Sequence, residues 1–178
     1  EQDYAWEHTL FTTGEAAVNA AKDKGIDIAK TDLDYGMQFA EDGTPVDGEV
    51  ANEIEIVFTH KGRTKATAMV YDAELGKYVY WQYWKEMIDE NNDQKEAFEN
   101  VIVILTHVYN EGVYHIAEML GSGDGYYACN GKIIPIKWSR ENETEPFSYT
   151  LADGTPLTMG IGSTYVAIAP TDSPVNVK

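Results

Sequence analysis

The hydrophobic positions along most of this chain recur with a period of two. In residues 53–60 (EIEIVFTH) apolar side chains alternate with polar ones, and residues 65–73 (KATAMVYDA) repeat the alternation after a short polar turn. A period of two places alternate side chains on opposite faces of a strand. The two segments therefore predict an antiparallel hairpin with one wetter face.

Two other segments depart from this alternation. Residues 101–109 (VIVILTHVY) form a continuous apolar run rich in β-branched residues, which is typical of a central strand buried on both faces. Residues 12–25 (TTGEAAVNAAKDKG) are rich in alanine, with Thr12 and Glu15 at the spacing of a capping box and Gly25 placed to end a helix. The sequence therefore predicts a helix near the N-terminus followed mainly by strands.

Glycines mark the turns of the second half. Asn130-Gly131 is a strong signal for a two-residue hairpin turn, and Asp153-Gly154 precedes a last strand that ends at Pro170. The glycine-rich residues 121–125 (GSGDG) resemble a phosphate loop in composition, but a phosphate loop needs a helix directly after its glycines. The segment that follows, YYAC, predicts a strand, so we interpret GSGDG as a hairpin turn. Residues 85–100 are a polar interruption that could be helical.

Together these patterns predict an α+β fold of mainly antiparallel strands, arranged as a twisted sheet, an open barrel or a sandwich, with one N-terminal helix. A length of 178 residues fits a single domain. We assign residues 1–178 to that domain, with residues 1–30 as a junction segment and helix and residues 171–178 as a loose tail.

The charge balance excludes several partners. Thirty acidic and 13 basic side chains give a formal net charge of -17, which would repel nucleic acid and anionic membrane surfaces. The single cysteine, Cys129, cannot form an internal disulfide, and a zinc site built on several thiolates is excluded. No apolar stretch is long enough to span a membrane, and the first residues lack the pattern of an export signal.

The order of segments in the second half resembles a known family. The segments are ENVIVI at 99–104, GSGDGYYACNGKIIPIKWSR at 121–140 and EPFSYTLADGTPLTMGIGSTYVAIAP at 145–170. They resemble the C-terminal domain of the YerB-like family, described as bacterial lipoproteins of unknown function. EHTLFTT at 7–13 is similar to the junction before that domain, and VYDAELGKYVYW at 70–81 to its middle hairpin.

The resemblance implies an extracytoplasmic protein of the bacterial envelope. Such a protein is tethered through a lipidated N-terminal cysteine that lies outside this chain, and carries an N-terminal domain that would be a natural partner. The resemblance implies no catalytic residues and no cofactor. It therefore suggests a fold and a location, but not a reaction.

The aromatic run at residues 78–84 (YVYWQYW) is the main candidate for a ligand-binding surface. On one continuous strand, Tyr78, Tyr80 and Trp84 would lie on one face and Val79, Trp81 and Tyr83 on the other. One face could be core and the other covered, or an exposed face could bind a sugar ring or a peptide. An acidic, aromatic surface suits a neutral glycan or a cationic peptide. The candidate residues are Tyr80, Trp81, Tyr83 and Trp84.

The remaining chemical candidates are weaker. Three histidines, His60, His107 and His115, fall on predicted strands, and a three-residue hairpin loop would place His107 opposite His115, close enough to share a metal. A two-residue loop would break that pairing. Two histidines do not make a site, so we assign no metal.

No nucleophile motif is present, and no catalytic residue is assigned. We therefore expect a non-enzymatic module that binds a cell-wall glycan, a peptide or an envelope protein. The alternative is a cell-wall hydrolase with paired carboxylates, which would need two of them in a cleft at a suitable separation.

Overall fold

The computed structural model describes residues 12–29, 35–59 and 65–178. The chain divides into two compact units, Glu1–Asp34 and Tyr35–Lys178. Predictions for residues 1–11, which include most of the junction segment, and for the turn at residues 60–64 with His60 lie outside the described residues.

The first unit contains the predicted helix. Helix α1 spans Gly14–Asp23. Its cap is Thr13, whose hydroxyl oxygen accepts a hydrogen bond from the backbone N–H of Ala16 at 3.1 Å, so the cap lies one residue after the predicted Thr12. Gly25 follows the helix with a φ of 67°, a left-handed conformation that ends it as predicted.

In the described residues of the second unit, every regular element is a strand. They are β1 (Gln38–Ala40), β2 (Glu49–Val50), β3 (Glu53–Thr59), β4 (Lys65–Asp72), β5 (Lys77–Gln82), β6 (Lys85–Glu86), β7 (Ile88–Asp89), β8 (Gln94–Lys95), β9 (Ala97–Phe98), β10 (Asn100–Thr106), β11 (Val108–Glu111), β12 (Tyr114–Ala117), β13 (Gly121–Cys129), β14 (Lys132–Arg140), β15 (Ser148–Thr150), β16 (Thr158–Gly160), β17 (Thr164–Pro170) and β18 (Val175–Val177).

These strands form two main sheets. The first has the order β15-β14-β13-β10-β17, with β2 beside β14, and the second has the order β18-β3-β4-β5-β6, with β9 beside β5. Two described pairs, β10 with β17 and β1 with β16, are parallel, and the others are antiparallel. Neither sheet is closed. The predicted fold class, a mainly antiparallel α+β fold with one short N-terminal helix, is confirmed.

Strand β10 lies at the centre of the first sheet and is buried on both faces, as its apolar run predicted. Val101 and Val103 belong to the core that the two sheets enclose between them. Ile102 and Ile104 point the opposite way, into a second core that includes Leu157 from the segment before β16. The strand therefore contributes to both cores by alternating side chains.

A buried polar network fixes the first residue of β10. Asn100 is fully buried, and its amide donates a hydrogen bond to the carbonyl oxygen of Gly160 at 2.8 Å. Its Oδ1 accepts from the backbone N–H of Gly160 at 3.0 Å and lies 2.9 Å from the hydroxyl of Tyr127, which is also 2.9 Å from the carbonyl oxygen of Gly43. Burial raises the pKa of Tyr127, so this hydroxyl remains a donor.

The same network brings two backbone segments into close contact. A β-carbon at Gly43 would lie 2.0 Å from the backbone nitrogen of Gly160. No side chain fits in that space, so glycine is required where the chain before β2 crosses β16. The buried amide of Asn100 and this close approach together hold β16 against the first sheet.

The glycine-rich residues 121–125 are part of strand β13, so their interpretation as a turn is wrong. A β-carbon at Gly125 would lie 2.3 Å from the carbonyl oxygen of Val103 on β10. Glycine therefore allows close contact between neighbouring strands here. The turn lies later, at Asn130 and Gly131, which both have positive φ and connect β13 to β14 as predicted.

Two other segments differ from the sequence-based expectation. Residues 171–178 are not a loose tail, because β18 pairs with β3 and the carbonyl oxygen of Lys178 accepts a backbone hydrogen bond from Asn52 at 2.7 Å. Val175 also packs against the core between the sheets. Residues 85–100 are not helical, since they form short strands in which β7 pairs with β8.

We expect Asn100→Ala to lower the free energy of unfolding by about 2 to 4 kcal/mol, because it leaves buried backbone groups of Gly160 without their partner. Urea denaturation measures the change. Asn110→Ala, an exposed asparagine on β11, is the matched control and should change stability by less than about 0.5 kcal/mol. A loss below about 1 kcal/mol for Asn100→Ala would contradict the role given to the network.

An ionic contact holds the turn before β17 to the start of β10. Glu99 accepts hydrogen bonds from the backbone N–H and the hydroxyl of Ser163, at 2.6 and 2.8 Å, and forms an ion pair with Lys77. Partial burial raises the pKa of Glu99, but the hydrogen bonds from Lys77 and Ser163 outweigh it and lower the pKa to about 2.

This shift predicts a pH dependence. The pKa of Glu99 in the fold, about 2, lies below its ordinary value of 4.5, so its stabilisation is complete above about pH 5 and is lost as the pH falls through 4.5 towards 2. Solvent screening limits the effect to about 1 kcal/mol. Melting temperatures measured from pH 6 to pH 2.5 should fall less steeply in Glu99→Gln than in the wild type. If melting temperature falls equally with pH in Glu99→Gln and in the wild type, the prediction is wrong. The control is Glu111→Gln, on the exposed hairpin β11–β12, whose melting temperatures should follow those of the wild type.

Candidate functional site

The aromatic run ends in a tight turn. Strand β5 pairs with β6 through Trp81 with Glu86 and Gln82 with Lys85, which leaves Tyr83 and Trp84 as a two-residue hairpin loop. Both loop residues have positive φ, 51° and 59°. Hairpins of this kind normally place asparagine or glycine at these positions, because a bulky side chain is strained in the left-handed region.

The four predicted ligand-binding residues are consequently divided between three places. Tyr80 faces the core between the sheets, where its ring centroid lies 5.3 Å from that of Tyr165. Trp81 lies on the opposite, outer face of the second sheet. Tyr83 and Trp84 lie in the turn, where side chains no longer alternate between the two faces of the sheet, and they are 56% and 73% exposed. The expected distribution of alternate rings therefore holds only as far as Gln82.

The outer face of the second sheet is defined by the strand register. One cross-strand row contains Asn176, Glu55, Ala68, Trp81 and Glu86, one residue from each of β18, β3, β4, β5 and β6. Residues that are directly opposite in a sheet project from the same face. The methyl group of Ala68, on the central strand β4, thus lies between the carboxylate of Glu55 on one side and the indole of Trp81 on the other.

A groove with a volume of about 350 Å³ runs along β4 on this outer face, and we call it the Ala68 groove. Its floor is formed by Ala66, Ala68 and Val70, which occupy alternate positions of β4. Among the described residues the rest of its lining is Glu53, Glu55, Thr67, Trp81 and Trp84. The groove therefore has an apolar floor, with acidic side chains and aromatic side chains around it.

The two carboxylates of the groove have partners on β18 or just after it. Lys178 donates to Glu53 at 2.7 Å, and the pKa of Lys178 is raised by this hydrogen bond and by the charge of Glu53. Glu55 accepts a hydrogen bond from the amide of Asn176 at 2.8 Å. In the described part of the chain, Glu55 forms no ion pair within salt-bridge distance.

His107 and His115 do not lie opposite each other. Strands β11 and β12 are joined by the two residues Gly112 and Val113, so His115 pairs with Asn110. His107 instead lies beside Glu118, with 3.3 Å between its Nδ1 and the carboxylate. Of the two loop lengths considered, the structure has the two-residue loop, which breaks the pairing of His107 with His115. No three His, Cys, Asp or Glu residues form a metal-binding group among residues 12–29, 35–59 and 65–178.

Cys129 is not a candidate nucleophile. It lies at the end of β13 with 3% of its surface exposed, and burial raises the pKa of its thiol. A nucleophilic cysteine needs an accessible thiolate. Separately, none of the helices in the described residues is both long enough and apolar enough to cross a membrane.

Residues 54–166 match a family described as protein of unknown function (DUF3048) C-terminal domain. The chain belongs to this family. The match to the DUF3048 C-terminal domain extends from β3 into β17, so it includes the strands β4 and β5 that form most of the Ala68 groove. Helix α1 and strand β18 lie outside the matched residues.

The DUF3048 C-terminal domain described here is similar to the crystal structure of the YerB protein from Bacillus subtilis. The TM-score is 0.79 at 17% sequence identity, and the match covers 98% of this chain and 58% of the YerB chain. The predicted kinship with YerB-like proteins is thus confirmed at the level of the family and the fold. A comparison with curated proteins finds no match.

Sequence-based reasoning found the indoles of this DUF3048 domain but missed the floor of the groove. The signal was present in KATAMV, where Ala66, Ala68 and Val70 are small residues at every second position. Small residues on one face of a strand leave a depression if the strands on both sides carry larger ones. The alternation by itself predicts only a hairpin, because the pairing of Ala68 with Trp81 depends on the register of β4 and β5.

We expect Tyr83→Asn combined with Trp84→Gly to raise the free energy of unfolding of this DUF3048 domain by about 1 to 2 kcal/mol, because it relieves left-handed strain at two bulky residues. Urea denaturation tests this. The matched control, Tyr83→Ala with Trp84→Ala, removes the same rings but keeps both β-carbons and should bring no gain. If the first variant is less stable than the wild type, the rings contribute more by packing than they cost by strain.

Proposed function

We propose that this domain is a non-enzymatic binding module of the bacterial envelope, located outside the cytoplasm, and that the Ala68 groove binds material of the cell wall. Tyr80 is not part of the proposed surface, because its ring packs against Tyr165. The proposed binding residues are Trp81 and Trp84, with Tyr83 beside them on the turn. The resemblance to YerB-like lipoproteins supports the proposed location.

The observation that carries the proposal is the aromatic turn beside the groove. Tyr83 and Trp84 keep large rings in solvent at positions where asparagine and glycine would be less strained. Backbone strain of this kind concentrates at functional sites. An exposed indole next to an apolar groove is also the arrangement by which proteins bind sugar rings and extended peptides.

The groove is less suited to hydrolysis. It is open along β4, so it does not exclude water from a reacting bond. Glycoside hydrolysis needs one protonated carboxylic acid beside one carboxylate. Glu53 is instead paired with the ammonium of Lys178, at 2.7 Å.

Attachment to the membrane would come from a lipid anchor outside this chain. The chain spans 58% of the YerB chain, and we propose that an N-terminal domain of the same protein is a second partner. The net charge of -17 supports a ligand that is neutral or cationic and disfavours nucleic acid.

Co-sedimentation with purified insoluble peptidoglycan tests the proposal. We expect the wild-type domain to sediment with it, and Trp81→Ala and Ala68→Leu each to weaken binding about tenfold, because one removes the indole and the other fills the groove. Both variants should keep a melting temperature within a few degrees of the wild type, since these residues lie outside the core.

The matched control is Tyr114→Ala, which removes an exposed ring on the hairpin β11–β12. It should bind like the wild type. Equal binding by all four proteins, or no binding by the wild type, would overturn the proposed function. A large fall in the melting temperature of Trp81→Ala would instead show that the indole has a structural role.

A further inference from the structure

We infer that the Ala68 groove recognises a lysine or arginine side chain of a peptide, with the aliphatic part on the floor of β4 and the cationic head between Glu55 and Trp81. This inference rests on the proposed function, since it names the chemical group that the same site binds.

The floor has the shape and chemistry for the aliphatic part. Ala66, Ala68 and Val70 follow one another at every second position of β4, so the floor extends for about 13 Å along the strand. Lysine and arginine carry three or four methylene groups and lay them along apolar surface while the charged head remains near water. A floor of alanines accommodates such a chain without a change in backbone.

The walls have the chemistry for the head. Glu55 and Trp81 belong to one cross-strand row, on strands about 10 Å apart, with only the methyl group of Ala68 between them. A cation in that position meets a carboxylate on one side and an indole on the other. Indole faces are the strongest cation–π partners among the side chains. Glu86 extends the same row beyond Trp81, but its carboxylate lies 3.4 Å from the ammonium of Lys95, so Glu55 is the carboxylate that faces the indole across Ala68.

The domain already shows how this face holds an ammonium group. Lys178 donates to Glu53 at one end of the groove. Glu55, two residues along β3, accepts a hydrogen bond from the amide of Asn176 and feels the charge of Lys178, but it forms no ion pair within the described residues. A peptide cation at Glu55 would therefore extend an arrangement that the chain itself uses at Glu53.

The charge of the lining distinguishes this groove from a second one. A larger open groove, beside the turn between β4 and β5, is lined by Lys77 and Lys95 together with Asp72 and Glu74, so it carries its own cations. The Ala68 groove is lined by two glutamates and, among the described residues, by no lysine or arginine; Lys178 pairs with Glu53 at one end of the groove, which leaves the carboxylate of Glu55 without an ion pair in the described part of the chain. A cationic ligand is therefore complementary to the Ala68 groove in particular.

Isothermal titration calorimetry with two short peptides tests the inference. The probes are tetralysine and the same peptide with every side chain Nε-acetylated, which keeps length and apolar stem but removes the charge. At about 50 mM salt we expect tetralysine to bind at least about tenfold more tightly, and about 500 mM salt to weaken it severalfold. Glu55→Gln and Ala68→Leu should each weaken tetralysine binding about fivefold or more.

The control for a general effect of the net negative charge is Glu111→Gln, which removes one carboxylate from the hairpin β11–β12. It should change the affinity for tetralysine less than twofold. Equal loss in Glu55→Gln and Glu111→Gln would overturn the inference, since binding would then follow net charge. Equal affinity for the two peptides would also overturn it, but would leave the groove as a binding site. Groove-dependent sedimentation with peptidoglycan without any peptide binding would assign the site to the glycan. Absence of both would overturn the proposed function as well.

Discussion

The arrangement of the first sheet depends on one buried amide. Asn100 opens the central strand and hydrogen-bonds both backbone groups of Gly160, so it fixes the strand β16 that covers the outer core. Tyr127 joins the same network from the neighbouring strand and reaches the carbonyl oxygen of Gly43. An asparagine that is fully buried is tolerated because its donors and acceptor all have partners.

This anchoring determines which surfaces are left for binding. The first sheet has cores on both of its faces, since β10 sends Val101 and Val103 one way and Ile102 and Ile104 the other. The second sheet places one face in the core between the sheets, and its other face carries the Ala68 groove. A binding function on this domain is thus supported by a sheet whose inner side chains, such as Met69, are rigidly packed.

The fold could be predicted from the sequence further than the site could. The period-two alternation, the central strand and the Asn130-Gly131 turn follow from local rules that act over a few residues. The groove depends on the register of the three strands β3, β4 and β5, which is set between strands and not within any one of them. The sequence predicts a strand through Tyr83 and Trp84 because bulky residues rarely occupy a left-handed turn, whereas both residues form that turn.

Errors in the other segments share a physical cause. Glycines usually signal a turn, but Gly125 is needed because β10 comes too close for a β-carbon. Residues 171–178 are few and mostly polar, which is typical of a loose tail. They are nevertheless ordered, because Val175 packs against the core and β18 forms backbone hydrogen bonds with β3. In each case the sequence was interpreted locally, whereas the conformation is decided by a strand that lies far away along the chain.

The positions of β17 and β18 also bear on how the protein is made. Each main sheet takes a strand from the C-terminal end, β17 beside β10 and β18 beside β3. A nascent chain that has not yet reached residues 164–177 lacks both, so neither sheet can be completed before these residues have been made. Pairings between such distant segments also fold slowly, because a long loop must close first. Until then the nascent chain leaves hydrophobic strand edges uncovered, and holding it apart from its neighbours is a task for chaperones.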